Sequence, residues 1–135
     1  MAKELGMSTS KQQLLQQAAL IHDIGFLGLD HPKLIGLNIK DNLNDLARYK
    51  LHPIVGSEMI KGIKFMQKLA PIIAVHHRYR NGEGFPENLP IEQISPESEI
   101  ISILEDYLEK GSIDKIKTER YSESSLQALK NIISR

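Results

Sequence analysis

Four of the five histidines in this chain fall where the sequence changes element: His22, His52, His76 and His77. Asp23 follows the first of them directly, and Asp106 lies three residues after Ile103, flanking the apolar side of its segment. A carboxylate in that position is costly unless it is paired or bound to a cation. Neutral imidazole suits Zn, Fe, Mn and Ni, and a carboxylate bridges two cations. Two such cations ~3.5–4 Å apart share a hydroxide, lower its pKa and clamp a phosphate oxygen. Such a centre takes roughly six to eight protein ligands around one bridging acid, and six candidates are visible. Taken singly, each has an ordinary alternative: a capping His52, a solvated His76-His77 helix end, an Asp106 paired with a lysine. His31, before Pro32, is left with that ordinary role.

The elements that must position these residues read as helices. Ser10 is a candidate cap, and Leu14, Leu15, Ala18, Ala19 and Ile21 have helical spacing up to His22-Asp23, with a break near Gly25. Residues 26–39 read as an ordered loop, and Asp41 to Leu51 as a helix. Pro53 discourages helical geometry at His52 and suits the first turn of a new helix through Ile60, so His52 sits at a junction. Leu69 to His77 is short and rich in β-branched residues, but Pro71 fits a helix opening and the surroundings are helical. Arg78 to Glu92, with Gly82, Gly84, Pro86 and Pro90, is a loop. Ser95-Pro96-Glu97 opens a further helix that Gly111 ends, and Ser122 caps a last amphipathic one. The expectation is an all-α bundle of about five to six helices forming one domain over 1–135.

Composition excludes several classes. Lys plus Arg is 17 and Asp plus Glu is 17, so the basic excess of a nucleic-acid-polymer binder is missing. The chain has no cysteine, so a metal must be held by imidazole and carboxylate. No apolar run approaches the ~20 residues that span a bilayer, and the N-terminus has no signal-peptide pattern. A cytoplasmic protein is expected.

The blocks AALIHDIG (18–25), LHPIVGSEMI (51–60), VHHRYRNGEGFP (75–86) and ILEDYL (103–108), in this order and with these gaps, resemble the HD-GYP family. These are helical, metal-dependent phosphodiesterases that cleave cyclic di-GMP. The resemblance implies an HD-domain fold and one or two divalent ions per chain, Fe, Mn, Zn or Ni. It implies hydrolysis of cyclic di-GMP or a related small phosphoester through a metal-bridging hydroxide, with Asp23 as the bridging, catalytic acid. His22, Asp23 and Asp106 would hold the first ion, and Asp23, His52, His76 and His77 the second. Gly84-Phe85-Pro86 occupies the place of the Gly-Tyr-Pro signature, near substrate, in a loop implicated in contacts with diguanylate cyclase domains. Arg78 and Arg80 are candidates for binding phosphate, and a receiver-type domain is a further candidate partner.

The chain departs from the family at several points. The family carries another ligating histidine well upstream of its HD dyad, whereas none of the 21 residues before His22 is His. The domain is therefore expected to be N-terminally incomplete relative to the family. Phe26 stands where the family has Lys, Arg78 where it has Glu, Asn81 where it has Asp and Phe85 where it has Tyr. After Asp106 the family's Arg-Pro-Tyr-Arg stretch is replaced, with Lys115, Lys117 and Arg120 as possible substitutes. A second reading accordingly stays open: a degenerate HD-GYP module that binds metal, nucleotide or a signalling partner without turnover.

Overall fold

The computed structural model describes residues 1–29 and 43–135. Among them are seven α-helices and no strand: α1 Thr9–Ile21, α2 Gly25–Gly28, α3 Leu43–Tyr49, α4 His52–Lys61, α5 Ala70–Ala74, α6 Pro96–Lys110 and α7 Glu123–Ile133. Five run for seven residues or more, so the all-α expectation holds, with α2 as an added single turn and α5 as a shortened form of the helix expected over Leu69 to His77. None of the described helices is long and apolar enough to cross a membrane.

Local chemistry explains most boundaries. Ser95 caps α6 by accepting from the Ser98 amide, Pro96 fills the first turn, and Gly111 stops the helix in the left-handed conformation at φ 69°. Ser122 caps α7 in the same way, accepting from the Ser125 amide. At α1 the cap is Ser8, not Ser10: its side chain accepts from the Lys11 amide, and Ser10 lies inside the first turn. Residues 1–7 form a turn whose Met1, Leu5 and Met7 pack on the core. His52 is itself the first residue of α4, one place earlier than the proline suggested. Gly25–Gly28 is a helical turn at the start of the segment read as loop. Residues 30–42, with His31, Pro32 and Gly36, lie outside the described residues, and so do Asp41 and Asn42 at the start of the helix expected over Asp41 to Leu51.

α6 is the central strut. Ile100 and Ile101 face α1 and α5 in a core with Leu15, Ala18, Ile72 and Ile73. Ile103, further along, joins Ile116, Tyr121 and Leu129. Burying several such side chains, at roughly 1.5–3 kcal/mol each, is what holds these short helices in place.

A close approach of two helices brings Asp23 to His52. α2 lies directly on α4, and a Cβ on Gly25 would stand 1.9 Å from the His52 carbonyl oxygen and 2.7 Å from the Gly56 amide nitrogen. Both obstacles are backbone, so neither can rotate away. Gly25→Ala is therefore expected to destabilise the protein by about 3 kcal/mol or more, seen as a lowered denaturation midpoint. A midpoint equal to wild type would show that α2 and α4 are not in this contact.

Candidate metal centre

Three histidines present the same atom to Asp23. His22 sits just past the end of α1, His52 at the start of α4 and His76 just past α5. In each, Nδ1–H donates to the carbonyl three residues upstream: Ala19 at 2.7 Å, Tyr49 at 2.6 Å and Ile73 at 2.6 Å. The backbone thus fixes each ring, with Nδ1 turned to a carbonyl and Nε2 turned inward. Ser102 of α6 donates to the His76 carbonyl and ties that helix to the site. His77 follows, with its ring 4.3 Å from that of His76.

Asp23 stands between them. Its Oδ1 lies 3.2 Å from Nε2 of His52 and 3.9 Å from Nε2 of His76, while Oδ2 lies 3.3 Å from Nε2 of His22. Each carboxylate oxygen therefore faces a different imidazole, the position a bridging ligand occupies. Two groups of potential ligand atoms result: Asp23, His52, His76 and His77, and His22, Asp23, His76 and Glu105.

Glu105 was not among the residues singled out from the sequence. Its Oε1 lies 3.0 Å from Nε2 of His22. Its Oε2 is buried, has no hydrogen-bond partner and lies 4.0 Å from Nδ1 of His77. Asp106, which was singled out, is placed elsewhere. It accepts from Tyr121 Oη at 2.7 Å, Lys110 Nζ at 3.1 Å and Arg120 Nη1 at 3.5 Å, and belongs to neither ligand group. The acid that α6 turns toward the histidines is the one before it.

Two observations test whether a cation fits. Nε2 of His52 and Nε2 of His76 lie 3.2 Å apart and both face Oδ1 of Asp23, while each Nδ1 donates to a carbonyl, so one cation would take both nitrogens and the carboxylate as ligands. The second is the orphaned Oε2 of Glu105, a buried acceptor that a cation satisfies. The donor set, imidazole and carboxylate, suits a divalent first-row ion.

Electrostatics point the same way. Burial, helped by the neighbouring His52 and His22, pushes His76 down to about 3. Burial also holds His77 well below its usual value, with His76 and His52 adding to the effect. Both rings are neutral at physiological pH and keep their lone pairs. Burial opposes charge on His22, but hydrogen bonds to Asp23 and Glu105 outweigh it and push this histidine up to about 10. Burial likewise opposes charge on Asp23, and hydrogen bonds from His22 and His52 override it, keeping the carboxyl well below the ordinary range. Without metal, a protonated His22 supplies the positive charge that the acids require.

The aromatic residues form one wall. Phe26 stacks on His52 at 4.2 Å between centroids, and Tyr49 lies 5.0 Å from the same ring. Phe85 reaches 4.7 Å from His77. It is held there because the Phe85 amide donates to the His77 carbonyl at 3.0 Å. Gly84, at φ 84°, permits this turn: a Cβ there would stand 1.9 Å from the His77 carbonyl oxygen. Pro86 follows through a cis peptide bond. A cavity of about 270 Å³ opens beside this wall, with His77 and Glu105 toward the cluster and Lys110 and Arg120 opposite.

Arg78 and Arg80 do not line that cavity. Arg78 spends its guanidinium on the carbonyls of Gly82, Glu83 and Leu89, bracing the loop. Arg80 donates to the buried Glu99 and borders a larger cavity of about 660 Å³ that contains no histidine. Sequence reasoning placed both arginines by their nearness to His77, but loop carbonyls and Glu99 claim them.

The sequence matches the HD domain family over residues 1–133. Curated relatives include the cyclic di-GMP phosphodiesterase response regulator RpfG of Xanthomonas campestris pv. campestris, 31% identical over 106 residues, 76% of this chain and 27% of the relative. Another is the cyclic di-GMP phosphodiesterase PdeB of Borreliella burgdorferi, 29% identical over 79% of this chain and 28% of the relative. A third is 3'3'-cGAMP-specific phosphodiesterase 3 of Vibrio cholerae, 28% identical over 75% of this chain and 22% of the relative. The chain thus spans about a quarter of the length of the curated relatives it matches. No solved structure matches the chain significantly.

Proposed function

The chain belongs to the HD domain family, and from that premise we propose that it is a metal-dependent phosphodiesterase of the HD-GYP type, acting on cyclic di-GMP or a related small phosphoester. The observation that carries the reading is the gathering of three Nε2 atoms around the two Asp23 oxygens, in two overlapping ligand groups, beside a buried, unsatisfied Glu105 oxygen. The phosphodiesterase names of the three relatives support the substrate class.

His22, His52, His76, His77, Asp23 and Glu105 would hold one or two divalent ions of Fe, Mn, Zn or Ni type. When bound, such an ion supplies Lewis-acid polarisation of a phosphoryl oxygen and activation of water at neutral pH. The chain does the rest. Burial keeps His76 and His77 neutral and able to donate lone pairs. Asp23 sits between the two ligand groups and orients both. Phe26, Tyr49 and Phe85 keep bulk water from one side, which strengthens every charge interaction inside. Lys110 and Arg120 are the cavity's two cations, set against Glu105, Asp106 and Glu109, and a bound divalent ion would supply the remaining positive charge a phosphoester needs. In this reading the chain is one HD-GYP-like unit over 1–135. The response-regulator name of the Xanthomonas relative favours a receiver-type partner domain, and the place of Gly84-Phe85-Pro86 in the signature loop favours a diguanylate cyclase domain as the other candidate.

A specific observation favours the degenerate binding module as second reading. Phe26 covers His52 where the family has Lys, and it offers no charge to a phosphate. One assay separates the two. Protein loaded with Mn, Fe or Zn is given cyclic di-GMP and bis(p-nitrophenyl) phosphate. Turnover is expected, and Asp23→Asn should lower it by about three orders of magnitude. Metal uptake with hydrolysis of neither compound would leave the binding module as the function.

A further inference from the structure

Arg120 lines the cavity beside His77 and Glu105 and is held in place from three sides. Its guanidinium carbon lies 4.2 Å from the centroid of the Tyr79 ring. Its Nη1 lies 3.5 Å from Oδ2 of Asp106, which Tyr121 and Lys110 hold in turn. The third partner is of another kind. Nε and Nη2 each reach Oε2 of Glu83 at 2.9 Å, and Lys117 Nζ lies 3.6 Å from Oε1 of the same carboxylate. Glu83 is exposed, and its side chain stands on the glycine-rich loop between Gly82 and Gly84. Its backbone is separately fixed, because its carbonyl accepts from the Tyr79 amide at 3.0 Å and from Arg78 at 3.2 Å. The carboxylate is therefore free to turn away without moving the loop.

We propose that Glu83 is a resident carboxylate occupying the guanidinium fork of Arg120, and that an incoming phosphate monoester or diester displaces it. Planar guanidinium recognises phosphate and carboxylate through the same paired N–H fork, so one replaces the other on Arg120 without rearrangement. Tyr79 and Asp106 pre-orient the fork, which lowers the ordering cost of binding. Lys117 adds a second cation on the far side of the exchanged anion. Glu83 then sets the affinity of the site by competition. As the anchor for substrate, this role rests on the phosphodiesterase reading above; as an anion site, it does not need a metal.

The test uses the whole chain, freed of metal by a chelator, with guanosine 5'-monophosphate as probe in calorimetric titration. Glu83→Gln is expected to tighten binding about fivefold, the effect of removing one competing charge at contact distance in water. Glu87→Gln, on the same loop but paired with Lys50 at 3.9 Å, should leave affinity unchanged. Because Arg120→Gln removes support from Asp106, the anchor itself is followed in the wild-type protein, through the Arg120 Nε–H resonance during titration with inorganic phosphate. That resonance should move and saturate with the binding curve. An unchanged affinity in Glu83→Gln, an equal gain in Glu87→Gln, or an Arg120 resonance that stays still at saturation would each overturn the proposal. Binding that follows the predicted pattern in a protein that hydrolyses nothing would sink the hydrolase reading and leave this one standing.

Discussion

Glu105→Gln is expected to lower the affinity for a divalent ion about a hundredfold or more, while Asp106→Asn leaves it within a few-fold of wild type. The two acids are neighbours on α6, so the contrast isolates direction from position. Glu105 points at His22 and His77 and has an oxygen that nothing in the protein satisfies. Asp106 points the other way and has all its acceptors engaged by Tyr121, Lys110 and Arg120. Its loss should therefore appear as stability, about 2–3 kcal/mol in denaturant unfolding, because it leaves buried donors without a partner. His76→Ala should match Glu105→Gln in metal loss, since His76 belongs to both ligand groups. Equilibrium dialysis against Mn or Zn reads the first effect. If Asp106→Asn lost the metal and Glu105→Gln kept it, the orientation of α6 would be wrong.

The metal-free protein should be most stable near pH 6.5 and lose stability in both directions, more steeply toward acid. His76 titrates at about 3 when folded and at 6.5 when unfolded, and His77 is shifted in the same direction. A folded-state value below the unfolded one means stability that is complete above pH 6.5 and lost as pH falls. Each ring makes the unfolded chain bind one more proton in that window, so stability falls by about 1.4 kcal/mol per pH unit for each. The two together give about 2.7 kcal/mol per unit below pH 6. His22 has the opposite sign. Raised to about 10 by Asp23 and Glu105, against the effect of burial, it adds stability below pH 6.5 that is lost as pH rises toward 10. One proton is involved on that side and two on the acid side. Metal binding must displace the His22 proton, so it should tighten with pH and release a proton, measurable by calorimetry in buffers of different ionisation enthalpy. A denaturation midpoint flat from pH 6.5 to 5 would rule out the buried neutral pair.

The four site histidines and Asp23 were legible in the sequence because their positions at helix ends follow from glycine, proline and apolar spacing. Glu105 was not, because Ile100, Ile103, Leu104 and Tyr107 leave both 105 and 106 beside the apolar face. Which of the two turns inward depends on how α6 packs on α5, a tertiary fact. One signal pointed the right way. Asp106 has Lys110 one turn later, the spacing at which a helical acid is already satisfied, whereas Ser98, Ser102 and Glu105 form a polar stripe at spacings of four and three. Gly25 was legible as a helix breaker, but its closer role, admitting α2 against the α4 backbone, depends on a neighbour 27 residues away. The arginines of the glycine-rich loop were misplaced for a similar reason. Their partners are backbone carbonyls and a glutamate on α6, which residue type alone does not reveal.

Metal content per chain, by elemental analysis of protein purified without chelator and without nickel affinity, decides whether the histidine cluster is a metal centre. One to two divalent ions per chain, retained through gel filtration, are expected. No metal, even after incubation with Mn, Fe or Zn, would contradict a metal centre there.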